Sequence, residues 1–467
     1  MHQNYDICIL AHQLKSRAHF MSDSSQTMNK RMNIVALTWP IFVEALLRNA
    51  LNTSDVFMLS GYSDLAVSAV GVISPISFFI IIVSMMVSTG TGILIAQYNG
   101  AGRSGDAEHV GIASVILGFA VSIILGSLFF FFSDNIVGLF GLEPQVAEYA
   151  HQYLIISGTC AGFVTTSVVF STILRSHGFS RSPMLINLIF GVLNVIGNYC
   201  VLYSPFGLPV YGVPGVATVT VISQLLGAIC MWYLLIKKDL KPRLSKATQV
   251  LSSTYKKILR LGVMNAGEIL SYNLSQMVII YFVVQMGTAS LTAFTYAQNL
   301  ARFTFAFSLS LGQASQIQTS YFVGKGWNNS ILIKVQKYFV VGFLASVGVS
   351  TLFYLGSETL LRVFTEDPEV ITLAMGLMMG SILLEGGRVF NLIFISALKG
   401  TGDVKYPVQV GILCMWGFGV GLTYVFGIYF GLGVIGAWLA IAADEWIRGI
   451  IMAFRWRSRI WERFKLI

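Results

Sequence analysis

Twelve apolar runs, each long enough to cross a bilayer, decide what this chain can fold into. They fall at roughly 33–60, 66–98, 108–133, 147–175, 182–203, 211–236, 258–286, 291–323, 332–356, 368–398, 406–430 and 433–455. A spanning helix needs about 20 residues. Lipid admits only helices and closed barrels, because it holds no water to satisfy backbone N–H and C=O groups. Barrel strands are shorter and alternate in polarity, so these runs predict helices. Several exceed the minimum, and tilt, kinks or ends reaching into water are expected. Only 11% of the 467 residues are charged, where soluble proteins carry about 25%. The expected fold class is an all-α polytopic membrane protein with twelve transmembrane helices.

Basic residues set the orientation. Of 30 Lys and Arg, four are read as lying within the spans (Arg48, Arg302, Arg388, Arg448), and only Arg362 lies in an odd-numbered connection. The rest fall in the two tails and the even-numbered connections. That asymmetry predicts both termini in the cytoplasm of a multi-pass inner-membrane protein. The net charge of +9 then reflects basic loops on an anionic leaflet rather than nucleic-acid binding. Five scattered cysteines suggest neither a disulfide framework nor a metal site. Residues 1–32 are polar, lack a signal-peptide core, and read as a poorly ordered inner tail. Met1, Met21 and Met28 are each open as the native start.

The two halves resemble each other. A shift of 224 matches Leu37 with Leu261, Glu44 with Glu268, Leu46 with Leu270 and Ala69 with Ala293. It also matches Gly100 with Gly324, Gly102 with Gly326, Leu174 with Leu398, Gly178 with Gly402 and Pro183 with Pro407. Beyond Pro407 the second copy is three residues shorter, and Gly215 matches Gly436. Six helices per copy is an even number, so both copies enter the membrane the same way. Parallel repeats about an axis along the membrane normal are expected. The domains read as an N-terminal half at 33–236, a cytoplasmic linker at 237–257, a C-terminal half at 258–456 and a basic tail at 457–467.

Polar groups inside lipid are costly, so their placement carries information. On a helical wheel with Glu44 at zero, Arg48 lies at about 40°, Asn52 at about 80°, Asp55 at about 20° and Pro40 at about −40°. Each ionisable group costs roughly 2.5–3.5 kcal/mol in the membrane centre, so this face points into protein or water. Glu44 and Arg48 are four apart and can pair. Asp55 has no basic neighbour on its own helix, and desolvation then favours its neutral form. A proton carrier needs a carboxyl that charges in one state and neutralises in another. Glu44 recurs as Glu268, but Asp55 faces Ile279, which makes Asp55 an asymmetric feature suited to coupling. Pro40 removes a backbone hydrogen bond about four turns before Asp55 and gives the helix a place to bend.

Asn194 and Asn198 are four apart and can hydrogen-bond Asp55, supply oxygens to a small cation, or simply join helices. Glu268, Tyr272, Ser275 and Gln276 form a polar stripe. Glu385 with Arg388, and Asp444 and Glu445 with Arg448, read as two separate groups of ion pairs. Glu44, Glu268, Tyr272, Gln276, Glu385 and Arg388 are the candidate lining of a substrate cavity. Neither GKGW at 324–327 nor GTGD at 400–403 fits a nucleotide-binding loop. No HExxH, GxSxG or His/Cys cluster is present, so neither an enzyme nor a cofactor or metal site is expected. A transporter without an ATP motif draws on an ion gradient.

These features together resemble the multidrug and toxic compound extrusion (MATE) family. The resemblance rests on two six-helix repeats, the pattern Pro40…Asn52-x-x-Asp55, and the loop NGAGR at 99–103 with its partner GKGW. GTGDVKYP at 400–407 and its counterpart HGFSRSP at 177–183 add to it. It covers about residues 33–456. It implies two lobes in a V around a central cavity, and efflux of small molecules by proton or sodium antiport. Asp55 matches the family's helix 1 acid, Pro40 the proline where that helix bends, and Asn194 the helix 5 asparagine. Asn198 stands where many relatives carry aspartate. Its neutrality favours protons over sodium, since hard cations prefer several anionic oxygens. The expected partners are a small-molecule substrate, organic cations by default, a proton or sodium ion, and the bilayer. A monomer that binds no nucleic acid is expected. A flippase for a lipid-linked saccharide and an integral membrane enzyme are the alternatives.

Overall fold

A computed structural model describes residues 28–467 except 206 and 208. The reading of a disordered tail therefore falls largely on residues 1–27, outside the described residues. Residues 28–32 are different from that expectation: Met32 is fully buried, and its carbonyl accepts from Gln318 Nε2 at 2.6 Å.

The described residues are helical, with no strand among them. The helices are α1 (Ile34–Ser60), α2 (Asp64–Gly100), α3 (Ser104–Gly138) and α4, which is broken into α4a (Pro144–Thr159) and α4b (Ala161–Ser176). Then come α5 (Arg181–Tyr203), α6 (Gly212–Lys237), α7 (Ser252–Gln285), α8 (Thr288–Gly324) and α9 (Asn328–Leu355). α10 (Pro368–Thr401), α11 (Lys405–Cys414, continued in wider turns to Tyr429) and α12 (Gly433–Arg457) complete the long helices. Nine of these are long and apolar enough to cross a membrane, and the α4 pair, bent by 43°, adds a tenth. α8 and α12 are more polar because they bury hydroxyls, amides and charges against other helices.

Local chemistry sets the helix ends. The Asn33 side chain caps α1 by accepting from Val35 N at 3.0 Å. Asp367 caps α10 through Glu369 N at 2.9 Å, with Pro368 at the first helical position. The turn glycines that recur at the 224 shift share one backbone state. Gly102 and Gly326 have φ of 71° and 77°, and Gly178 and Gly402 have φ of 79° and 104°. Side chains with a Cβ rarely adopt that region, which accounts for glycine at both members of each pair. Pro40 sits inside a continuous α1, without a break at that residue.

The halves meet along α1, α2, α7 and α8. Gly100 of α2 lies so close to α8 that a Cβ there would stand 2.0 Å from the Tyr321 carbonyl oxygen. A Cβ on Gly324 would stand 2.0 Å from the Gln97 carbonyl oxygen. The contact is reciprocal, because Gln97 and Tyr321 are themselves 224 apart. On one flank of this crossing, Ile41 and Phe42 of α1 pack on Leu311, Ala314 and Phe307 of α8. On the other, Gly90 abuts Ile258 and Gly262 abuts Met86. Outward faces carry large exposed apolar side chains such as Phe119, Phe131, Val341 and Leu352, as lipid contact requires.

The tail at 457–467 is packed. Trp461 is buried with its ring 4.7 Å from that of Trp456. Leu466 N donates to Gln97 Oε1 at 3.3 Å, and Lys257 Nζ donates to Leu466 O at 2.9 Å.

Candidate functional site

The polar face of α1 turns toward α4b and α5. Asp55 Oδ1 accepts from Asn198 Nδ2 at 2.9 Å. Asn198 Nδ2 also lies 3.5 Å from Asn194 Oδ1, and Asn194 Nδ2 donates to Thr220 Oγ1 of α6 at 3.2 Å. Asn198 is buried, and its Oδ1 has no hydrogen-bond partner among the described residues. No lysine or arginine pairs with Asp55 among them. The site thus offers a half-buried carboxylate and an unused buried amide oxygen, a donor set suited to one proton or one small cation. The side chain of Asn52 lies outside the described residues.

Eleven residues earlier on α1, Glu44 sits in a different environment. It is 4% exposed. Its Oε1 accepts from Arg48 Nη2 at 3.1 Å and from Asn187 Nδ2 of α5 at 2.9 Å, and its Oε2 pairs with Arg175 of α4b. The expected Glu44–Arg48 pair exists, but Arg48 is largely exposed and the better enclosed partner is the half-buried Arg175. Glu268 of α7 pairs with Lys399 of α10. Lys399 Nζ also donates to Asn265 Oδ1 at 2.9 Å, and Asn265 Nδ2 donates to Thr89 Oγ1 of α2 at 3.1 Å. Arg175 and Lys399 correct the charge reading above, which placed only Arg48, Arg302, Arg388 and Arg448 within the spans. Both sit in the last turns of helices, where the sequence reading assigned them to inner connections. The signal was present, since 175 and 399 also differ by 224, but the Arg/Lys difference hides it from a search for identities.

The C-terminal half carries a second buried network. Arg448 of α12 reaches Asp444 through Nε at 3.1 Å and Nη2 at 2.6 Å, and Glu445 through Nη2 at 3.0 Å. Arg388 of α10 pairs with Glu385, and its Nε lies 3.9 Å from Glu445. Asn391 Nδ2 donates to Glu445 Oε2 at 2.8 Å. The two groups read as separate ion pairs are therefore one network of three carboxylates and two guanidiniums. Glu385 is fully buried, and the Arg388 guanidinium lies 4.8 Å from the centre of the Phe305 ring. Among the proposed cavity residues, Glu44, Glu268 and Glu385 are thus enclosed and paired rather than open. Tyr272 and Gln276 are half-buried on α7.

The MatE family model matches residues 40–200 and 266–425. The chain is 36% identical over 436 residues to the uncharacterized transporter YisQ of Bacillus subtilis, covering 93% of this chain and 95% of that one. It is 26% identical over 436 residues to the probable multidrug resistance protein NorM of Thermotoga maritima, covering 93% of each. Among solved structures, an outward-facing multidrug resistance MATE transporter of the MOP superfamily superposes with a TM-score of 0.82 at 21% identity. That superposition covers 91% of this chain and 95% of the other.

Proposed function

Because this chain belongs to the MATE family and is a multi-pass membrane transporter, not an enzyme, we propose that it is an antiporter whose coupling ion binds at Asp55. The residue map supports this reading through one observation. Of the carboxyls in the spanning helices with no lysine or arginine partner among the described residues, Asp55 alone is not exposed; Asp64, Asp134, Glu148 and Glu369 are exposed. The five buried carboxyls of these helices, Glu44, Glu268, Glu385, Asp444 and Glu445, each pair with an arginine or lysine. A half-buried carboxyl without a cationic partner changes its charge when a proton or cation arrives, whereas a paired one is already neutralised.

In this reading twelve spans form two parallel six-helix lobes, 33–236 and 258–456, joined by the cytoplasmic linker 237–257. Both termini lie in the cytoplasm. A proton enters from outside and binds Asp55, with Asn52, Asn194 and Asn198 around it. Loss of the charge alters the Asn198 contact, α1 bends at Pro40, and the seam between the lobes shifts its balance of open and closed. Substrate leaves outward. Organic cations are the default cargo. With Glu44 and Glu268 neutralised by Arg175 and Lys399, Asp55 is the acid left for them to meet. Protons are favoured over sodium because Asn198 supplies a neutral oxygen where a second carboxylate would serve a hard cation.

The test is ethidium efflux from vesicles holding the purified wild-type protein, under an imposed pH gradient or an imposed sodium gradient. The pH gradient alone is expected to drive efflux. Efflux driven by sodium alone would overturn proton coupling.

A further inference from the structure

The two buried pairs Glu44–Arg175 and Glu268–Lys399 occupy equivalent places in the repeat, since both members of each are 224 residues from their counterparts. Their surroundings differ where they approach the seam. In the C-terminal half the ammonium has a second acceptor, Asn265 Oδ1, at 2.9 Å. The other end of that amide crosses between the halves and donates to Thr89 Oγ1 on α2 at 3.1 Å. In the N-terminal half the position equivalent to Asn265 is Ile41, which packs in an apolar cluster with Leu311 and Ala314 of α8. The α1–α8 flank is joined by this apolar cluster and by a neutral hydrogen bond from Gln318 Nε2 to the Met32 carbonyl. The α2–α7 flank carries a hydrogen bond wired to a buried charge.

We infer that Lys399 is a positioning residue for transport, which holds the α2–α7 flank of the seam closed by fixing the Asn265 amide against Thr89. The ammonium has donors only, so it fixes the oxygen of Asn265 toward itself and turns the amide N–H toward the threonine. A donor bearing a charge makes this bond stronger than a neutral pair. Glu268 keeps Lys399 in place, and Gly411 of α11 lies 3.5 Å from Glu268 Oε1 at the position of a would-be Cβ, which leaves space for the pair. Anything that draws Glu268 away from Lys399 loosens the seam on this flank, while Arg175 and Glu44 have no such link. The inference rests on the reading of the seam as the gate of an antiporter.

The test is a thiol reporter at Leu261, buried beside the seam in one cluster with Val87 and Ile258. Leu261→Cys is placed in the full chain with the native cysteines replaced, and its labelling by a water-soluble maleimide is timed in vesicles without substrate or gradient. Asn265→Leu, and the charge-neutral double variant Lys399→Met with Glu268→Gln, are expected to label about tenfold faster, as loss of a charge-assisted hydrogen bond predicts. Lys399→Arg, the side chain its counterpart uses, restores slow labelling. Arg175→Met leaves the rate at the wild-type value. Wild-type rates in Asn265→Leu and in the double variant, or equal acceleration by Arg175→Met, would overturn the inference. Neither result depends on Asp55, so a failure of proton coupling there leaves this one standing, and the reverse.

Discussion

Valine at position 100 or 324 leaves the chain in the membrane but stops transport. The Cβ alone would stand 2.0 Å from a backbone oxygen on the opposing helix, Tyr321 in one case and Gln97 in the other. A backbone oxygen cannot rotate away as a side chain can, so α2 and α8 must separate by about 1 Å to reach ordinary contact. Overpacking of this kind costs about 1–3 kcal/mol or more. Here the cost falls on the closed seam and not on the helices themselves, so the balance shifts away from closure. Gradient-driven efflux should fall more than about tenfold, the rate equivalent of that energy. Gly105→Ala serves as the control for adding a side chain to a turn-flanking glycine, because a Cβ there meets nothing within 4 Å. Its efflux should match wild type. Full activity in Gly100→Val would mean that transport does not require these two helices to meet.

Arg448→Met should be the most destabilising single change in the C-terminal half. Arg448 makes three contacts of 2.6–3.1 Å with Asp444 and Glu445, and all three side chains are about 95% buried. Its removal leaves three carboxylates facing the single guanidinium of Arg388. Breaking a buried pair by deleting one partner costs about 3–5 kcal/mol, because the remaining charge has no compensation. Thermal unfolding of the purified protein in detergent should show a large fall in midpoint. Adding Asp444→Asn and Glu445→Gln to the same variant removes the excess charge and should recover most of the loss. An unchanged midpoint in the single variant would show that water reaches the network.

The helices were legible because lipid enforces them. The runs at 33–60, 182–203, 211–236 and 433–455 end within two residues of α1, α5, α6 and α12. Other features depend on packing and left no periodic signal. The 43° bend between Thr159 and Ala161 falls within one apolar run. The wide turns from Met415 to Tyr429 follow a stretch with glycine at 417, 419, 421 and 427, where weak helical preference permits a looser winding. The wheel found the polar face of α1 but could not name what it meets. Wheel angles describe one helix, and Arg175 and Asn187, which meet Glu44, come from others. The C-terminal network was divided in two for the same reason: Glu385 and Asp444 are 59 positions apart in sequence, and only the packing of α10 on α12 joins them. The repeat could have supplied part of what the wheel lacked, since a chemically tolerant comparison at the 224 shift pairs Arg175 with Lys399.

Asp55 as the coupling residue is tested most directly by comparing wild type with Asp55→Asn in one set of reconstituted vesicles under an imposed pH gradient. Asparagine keeps the size of the side chain and an oxygen to accept from Asn198, so insertion and folding should be preserved and are checked by the unfolding midpoint. The account predicts that wild type expels ethidium down to the limit set by the gradient, while Asp55→Asn shows no gradient-driven efflux. Asp55→Asn vesicles that expel the dye at the wild-type rate would contradict it, and would make helix α1 scaffold rather than the carrier of the ion.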